Sequence, residues 1–253
     1  MHIPIDFAWL EATALAAVRI TAFLFIAPPF SYGAIPARIK GMLGIGLALA
    51  VSGVVAPGYR NLDVAPFLGT LVLQLVIGAF LGFLVLLCFS AVQSAGGLID
   101  VFGGFQISQI FDPQAQINGA QFTRLFQMTA LTLLFVSGGY QLIIAGLGRS
   151  FDAVPLGEML SVPDAAQLLI TALSQMFLAA LQIAGPLIIV LFLADAALGL
   201  VTRGAPTLNA FALGMPLKIL LTLVLAGTVF VALPGIVDAL AGDALRMIRG
   251  VRP

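Results

Sequence analysis

PFLGTLVLQLVIGAFLGFLVLLCFSAV, Pro66 to Val92, carries no charged residue in 27 positions. A helix crossing about 30 Å of hydrocarbon needs roughly 20 mostly apolar residues, so this stretch is long enough to span a membrane. Inside lipid, backbone N–H and C=O groups must be satisfied within the segment, and an isolated run of this kind does that as a helix.

The same ruler along the rest of the chain gives six segments. They are Phe7 to Pro28, Gly41 to Ala56, Pro66 to Val92, Thr123 to Gly148, Ala165 to Val201 and Ala210 to Leu240. Of the 253 residues, 61% are hydrophobic and 9% charged, whereas a soluble domain is about half apolar and a quarter charged. The expected fold is an all-α membrane protein of about six hydrophobic segments, several broken by proline or glycine, forming one integral membrane domain over residues 1–253. The formal net charge of zero argues against nucleic acid and against a polybasic membrane-surface anchor. The N-terminus lacks a basic leader and carries Glu11 and Arg19 in its apolar stretch, so it reads as a retained first helix.

Pro186, Pro216 and Pro234 fall inside the long fifth and sixth segments. Each removes a backbone hydrogen bond, so bends or breaks are expected there. Gly78 and Gly82 lie four residues apart, the spacing that lets helix backbones approach closely in lipid. Basic residues in alternate connections divide into Arg38, Lys40, Arg124 and Arg203 against Arg60, Arg149, Arg246, Arg249 and Arg252, leaving almost no orientation signal.

Enzymatic chemistry finds little support. His2 is the only histidine and Cys88 the only cysteine, too few for a nucleophile pair or a typical zinc site. No phosphate-binding glycine loop is present. No catalytic residue, metal or cofactor is expected.

Glu11, Arg19, Asp195 and Lys218 lie in or at the ends of apolar segments. An ionised group at membrane depth costs about 2.5 to 3.5 kcal/mol on insertion scales, so each needs a partner or a wet cavity. Glu11 and Arg19 are about 12 Å apart along an ideal helix, so their partners must come from other helices or other chains. A proton or ion pathway and a purely structural pairing both fit these four residues.

One segment breaks the apolar pattern: FGGFQISQIFDPQAQINGAQF, Phe102 to Phe122. With Gly96-Gly97, Gly103-Gly104, Asp112-Pro113 and Gly119 in and before it, this part of the chain does not read as a uniform lipid-facing helix. Non-helical backbone at membrane depth is tolerated where protein or water covers it. Gln106, Gln109, Gln114 and Gln116 supply polar company, and Phe105, Ile107, Ile110 and Phe111 supply bulk. Composition alone fits either a constriction in an aqueous path or an exposed loop.

Taken together, RITAFLFIAPPFSYGAIPARIK, the run from Gly96 to Gln114 with its GG, LID, GGFQ and FDPQ pieces, SFDAVPLG and ADAALGLVTRGAPTLNAFALGMPLK resemble the FliR family of flagellar biosynthetic proteins and its virulence-system counterparts. That family is a membrane component of the type III secretion export gate. The resemblance spans nearly the whole chain, and TRGAPTLNAF is its most specific piece.

The resemblance implies a pore-forming structural subunit, with helical hairpins packed in a hetero-oligomeric gate that conducts unfolded proteins across the bacterial inner membrane at the basal body. One copy is expected to assemble with several copies of FliP and FliQ, with FlhB and other export-apparatus proteins, in contact with lipid. The core is expected above the membrane plane, on the periplasmic side. Residues 1–165 are expected to resemble FliP, including a plug loop over 102–122, and residues 166–253 to resemble FliQ. Gly103, Gly104, Phe105, Gln106, Ile107, Gln109, Ile110, Phe111, Asp112 and Pro113 are the implied plug. Glu11, Arg19, Pro36, Arg38, Lys40, Asp195, Arg203, Pro206, Asn209 and Lys218 are the implied interface or structural polar positions.

Two positions depart from the family pattern. Gln74 stands where an acid is expected in the third segment, and Gly139-Tyr140 where glycine-histidine is common. A self-contained secondary transporter or channel is the alternative that six segments with broken helices and buried charges leave open.

Overall fold

The computed structural model describes residues 7–33, 35–57, 59–105, 121–204 and 210–251, without the side chains of 210–213. Seven helices and no strand occur among them: α1 (Phe7–Ile26), α2 (Ala37–Val55), α3 (Val64–Phe102), α4 (Gln121–Val136), α5 (Gly139–Ala153), α6 (Val162–Gly204) and α7 (Ala210–Gly250). Five of them are long and apolar enough to cross a membrane, six spans if the interrupted pair α4 and α5 counts as one. The chain is a multi-pass, all-α membrane protein.

Helix boundaries differ from the hydropathy segments where polar residues stay helical. α3 runs to Phe102, ten residues past Val92, and takes Gly96-Gly97 into the helix. A Cβ on Gly96 would sit 2.7 Å from Phe122 O, so this glycine serves close packing of α4 against α3 and not a bend. The fourth expected segment is in fact two helices, because Gly138 adopts φ 75° and ψ 8° as the N-cap of α5. That left-handed conformation is open to glycine at little cost and ends the preceding helix.

Of the bends or breaks expected at Pro186, Pro216 and Pro234, no break occurs. α6 runs continuously through the first and α7 through the other two. A proline deletes one ladder bond while its neighbours remain, and an apolar surrounding penalises any wider loss of backbone pairing.

The chain divides into two compact units, each assembled from separate stretches. The first contains Met1–Cys88, Ser137–Leu173 and Leu240–Pro253, and the second Phe89–Val136 and Ser174–Ala239. In the first unit α1 is buried along Leu15, Arg19, Ile20, Phe23 and Leu24. A Cβ on Gly78 would lie 2.1 Å from Arg19 O, and one on Gly82 would lie 3.0 Å from Phe23 O. The Gly78/Gly82 spacing is therefore the α1–α3 contact, where absent side chains let two backbones meet. In the second unit Phe105, Phe122, Phe126 and Phe230 form successive edge-to-face contacts, with centroids 5.1, 6.1 and 5.2 Å apart, the geometry ring quadrupoles favour.

Candidate functional site

The central segment is described up to Phe105, and its entry is a built structure. Phe105 N–H donates to Asp100 O at 3.0 Å and Gly104 N–H to Val101 O at 3.3 Å. With Gly104 at φ 80°, this is a Schellman motif that satisfies the last carbonyls of α3. Gly103 lies against α7: a Cβ there would sit 2.8 Å from Thr222 Oγ1. Gly103, Gly104 and Phe105 thus end α3 in a tightly packed turn. The other expected plug residues, Gln106, Ile107, Gln109, Ile110, Phe111, Asp112 and Pro113, lie outside the described residues.

Asp100 holds the far end of the same segment. Its Oδ1 accepts from Phe122 N–H at 2.9 Å, and its Oδ2 accepts from Thr123 N–H and Thr123 Oγ1–H, both at 2.8 Å. These amides belong to the first turn of α4, where helical N–H groups lack intrahelical partners and the dipole favours a negative charge. Asp100 is fully buried. Three donors to one carboxylate explain how an acid is tolerated there. Its backbone carbonyl closes α3 while its side chain caps α4, so one residue fixes both feet of the segment 106–120.

Arg19 is the second polar centre, in the first unit. Its Nε donates to Gln74 Oε1 at 2.6 Å, its Nη1 to Ser150 O at 3.1 Å and its Nη2 to Val154 O at 2.9 Å. The guanidinium also lies 4.3 Å from the Phe151 ring centroid, within cation–π range. Ser150 O and Val154 O mark the C-terminus of α5, the end of a helix that favours a cation. Arg19 therefore caps α5 from α1. Gln74 Nε2, by contrast, is buried and has no hydrogen-bond partner among the described residues.

The other polar positions separate into paired and exposed ones. Glu11 accepts from Tyr59 Oη–H at 3.4 Å and Leu62 N–H at 3.3 Å, tying the α2–α3 connection to α1. Burial, and then the neighbouring Glu11 carboxylate, push the Tyr59 phenol above its ordinary range. Lys218 Nζ and Asp195 Oδ2 form an ion pair of 2.7 Å between α7 and α6. Lys40 is buried, with its ammonium 5.4 Å from the Phe25 ring centroid. Pro36 is the N-cap of α2 and, like Arg38 and Arg203, is exposed. Pro206 and Asn209 lie outside the described residues.

Sequence reasoning found Glu11 and Arg19 and required partners for them beyond α1, which the fold supplies. It did not find the joint role of Asp100. The available signal was an acid in a long apolar helix, shortly before a glycine pair, with a threonine opening the next apolar segment. Among the described residues no cluster of metal-ligating side chains occurs.

Residues 10–244 match the family model described as bacterial export proteins, family 1. The flagellar biosynthetic protein FliR of Escherichia coli is 33% identical over 216 residues, covering 84% of this chain and 81% of that protein. The flagellar biosynthetic protein FliR of Pectobacterium carotovorum is 28% identical over 248 residues, covering 96% and 93%. The secretion system apparatus protein SsaT of Salmonella typhimurium is 29% identical over 221 residues, covering 85% of each. With a match over nearly its whole length, the chain belongs to the bacterial export proteins, family 1.

Proposed function

We propose that this chain is a pore-forming structural subunit of a type III secretion export gate of the flagellar kind, conducting unfolded proteins across the inner membrane. It catalyses no reaction and carries no cofactor. The observation that supports this reading best is the central segment: a glycine- and glutamine-rich stretch between α3 and α4, with both feet fixed at Asp100. A segment anchored at a closed base fits a plug, because it can seal a passage without unravelling the helices that carry it.

On this reading one copy assembles with several copies of FliP and FliQ, and FlhB meets the entrance. Residues 1–165 take the FliP-like position and 166–253 the FliQ-like one, at the basal body and with the core above the membrane plane. Pro36, Arg38, Arg203, Pro206 and Asn209 are contact positions, and Glu11, Arg19, Lys40, Asp195 and Lys218 hold the helices that present them. The relatives named for flagellar biosynthesis and secretion support this assignment.

The test is the native mass of the detergent-extracted chain, alone and then co-expressed with the membrane proteins encoded beside it. A large complex holding one copy of this chain is the expected result. A stable small species that ignores those neighbours and moves a solute in vesicles overturns it in favour of a transporter.

A further inference from the structure

The first unit contains a long apolar cleft between α1, α2 and α3, bordered by Trp9, Phe25, Gly41, Ile45, Leu49 and Leu75, with a volume of about 970 Å³. Phe25, Ile45, Leu49 and Leu75 are each about half exposed. The polar side chains in its lining are Trp9, Thr13 and Thr21, and Thr13 Oγ1–H already donates to Trp9 O at 2.7 Å. An occupant therefore needs no hydrogen-bonding groups along most of its length.

Shape narrows the occupant. The α1 lining runs from Trp9 to Ile26, about 25 Å at 1.5 Å per residue. A volume of about 970 Å³ over that length is a cross-section of about 40 Å², room for an extended alkyl chain along α1. The cleft walls are held at that width where α1 crosses α2, since a Cβ on Gly44 would sit 2.1 Å from Thr21 Oγ1.

Charge supplies the second criterion. The Phe25–Gly41 end of the cleft adjoins the first turn of α2, whose N-cap Pro36 provides no side-chain cap and which contains no acid. Arg38 is exposed there, and Lys40 holds its ammonium over Phe25, itself a wall of the cleft. Among the described residues Lys40 forms no ion pair. No acidic residue occurs anywhere between Ala12 and Leu62. One end of an alkyl-shaped cleft thus carries two cations beside a helix N-terminus, the arrangement that attracts a phosphate.

We propose that this cleft binds an anionic phospholipid, with an acyl chain along α1 and the headgroup phosphate at the α2 N-terminus between Arg38 and Lys40. The site is independent of the plug: it lies wholly within the first unit and predicts lipid occupancy whether or not the chain conducts protein.

The test uses the full chain, co-assembled with its membrane neighbours, in vesicles doped with phosphatidylglycerol or phosphatidylcholine carrying a photoreactive acyl chain. Labelling of Phe25 and of Ile45 to Leu49 is expected to favour phosphatidylglycerol by roughly thirty-fold, the scale of two basic contacts at an anionic surface. R38Q/K40Q is expected to abolish that preference at both regions of the cleft. I45W, which fills the cleft, is expected to remove labelling from both regions. Equal labelling by the two lipids overturns the proposal in favour of unselective contact with bulk lipid. Loss of all labelling on assembly, with a protein crosslink from Ile45, overturns it in favour of a partner subunit.

Discussion

Arg19 Nε and Gln74 Oε1 meet at 2.6 Å, and neither side chain is exposed. The other two guanidinium bonds go to backbone carbonyls, so a buried cation in the first unit is balanced by a neutral amide and a helix C-terminus. Burying a charge is costly unless it is hydrogen-bonded, and Gln74 uses only its oxygen for this, its Nε2 having no partner among the described residues. Gln74→Glu replaces that idle donor with a second carboxylate oxygen and is expected to raise the thermal midpoint of the detergent-solubilised complex. Gln74→Leu removes the acceptor and is expected to cost about 1 to 3 kcal/mol. Equal midpoints for all three proteins would show that α5 alone balances Arg19.

Asp100→Ala leaves two first-turn amides of α4 and the Thr123 hydroxyl without their acceptor. The expected loss is about 2 to 3 kcal/mol, the upper range for a helix cap reinforced by a charge. Hydrogen exchange at Phe122 and Thr123 is expected to accelerate in step with it. Asp100→Asn keeps one acceptor oxygen and should fall between. Unchanged protection at both amides would remove Asp100 as the clamp.

Gly78→Ala places a methyl 2.1 Å from Arg19 O, whereas Gly46 has open space around it. The first substitution must push α3 off α1 and is expected to cost about 2 kcal/mol or more, in the range of overpacked cores. Gly46→Ala in an exposed helix interior is expected to be neutral or to stabilise by up to about 1 kcal/mol. Comparing the yield of folded complex for the two variants separates close approach from helix propensity.

Burial and Glu11 raise the Tyr59 pKa above 10.0. The folded state therefore holds the phenolic proton to higher pH than the unfolded chain. Stability from this contact is present in full below the ordinary value of 10.0 and is lost as pH rises beyond it through the raised pKa of the folded state. In ultraviolet titration, the tyrosine lost in Tyr59→Phe should have a midpoint above 10.0, the ordinary value of the group. Glu11→Gln should lower that midpoint only in part, because burial is the larger cause. A midpoint at the ordinary value would dismiss the Glu11 contact.

Deletion of Gly103 to Asp112 removes the α3-terminal turn and most of the proposed plug. Cells carrying the assembled complex are expected to leak ions or small molecules, detected by collapse of the membrane potential or entry of an impermeant dye. An unchanged, tight membrane would count against the plug role.

Much of this protein is legible along the chain because the relevant physics is local. A run such as Pro66 to Val92 must be helical in an apolar medium, and the Gly78/Gly82 spacing marks a face where another helix can come close. The breaks were harder to read. Three prolines stay within continuous helices, and the interruption falls at Gly138, because a glycine opens a helix end only when its surroundings select the left-handed conformation.

The sequence by itself determined a multi-pass helical membrane protein of an export family, since apolar length and residue order along one chain suffice for both. It also required partners for Glu11 and Arg19, because an isolated charge at membrane depth is too costly to leave unpaired. Which groups provide them was decided only by the tertiary structure. Arg19 meets Gln74 from 55 residues away and the end of α5 from 131, and Asp100 reaches across 22 residues to start α4. Contacts between sequence-distant groups depend on where whole helices come to rest, and no local pattern of residues encodes that.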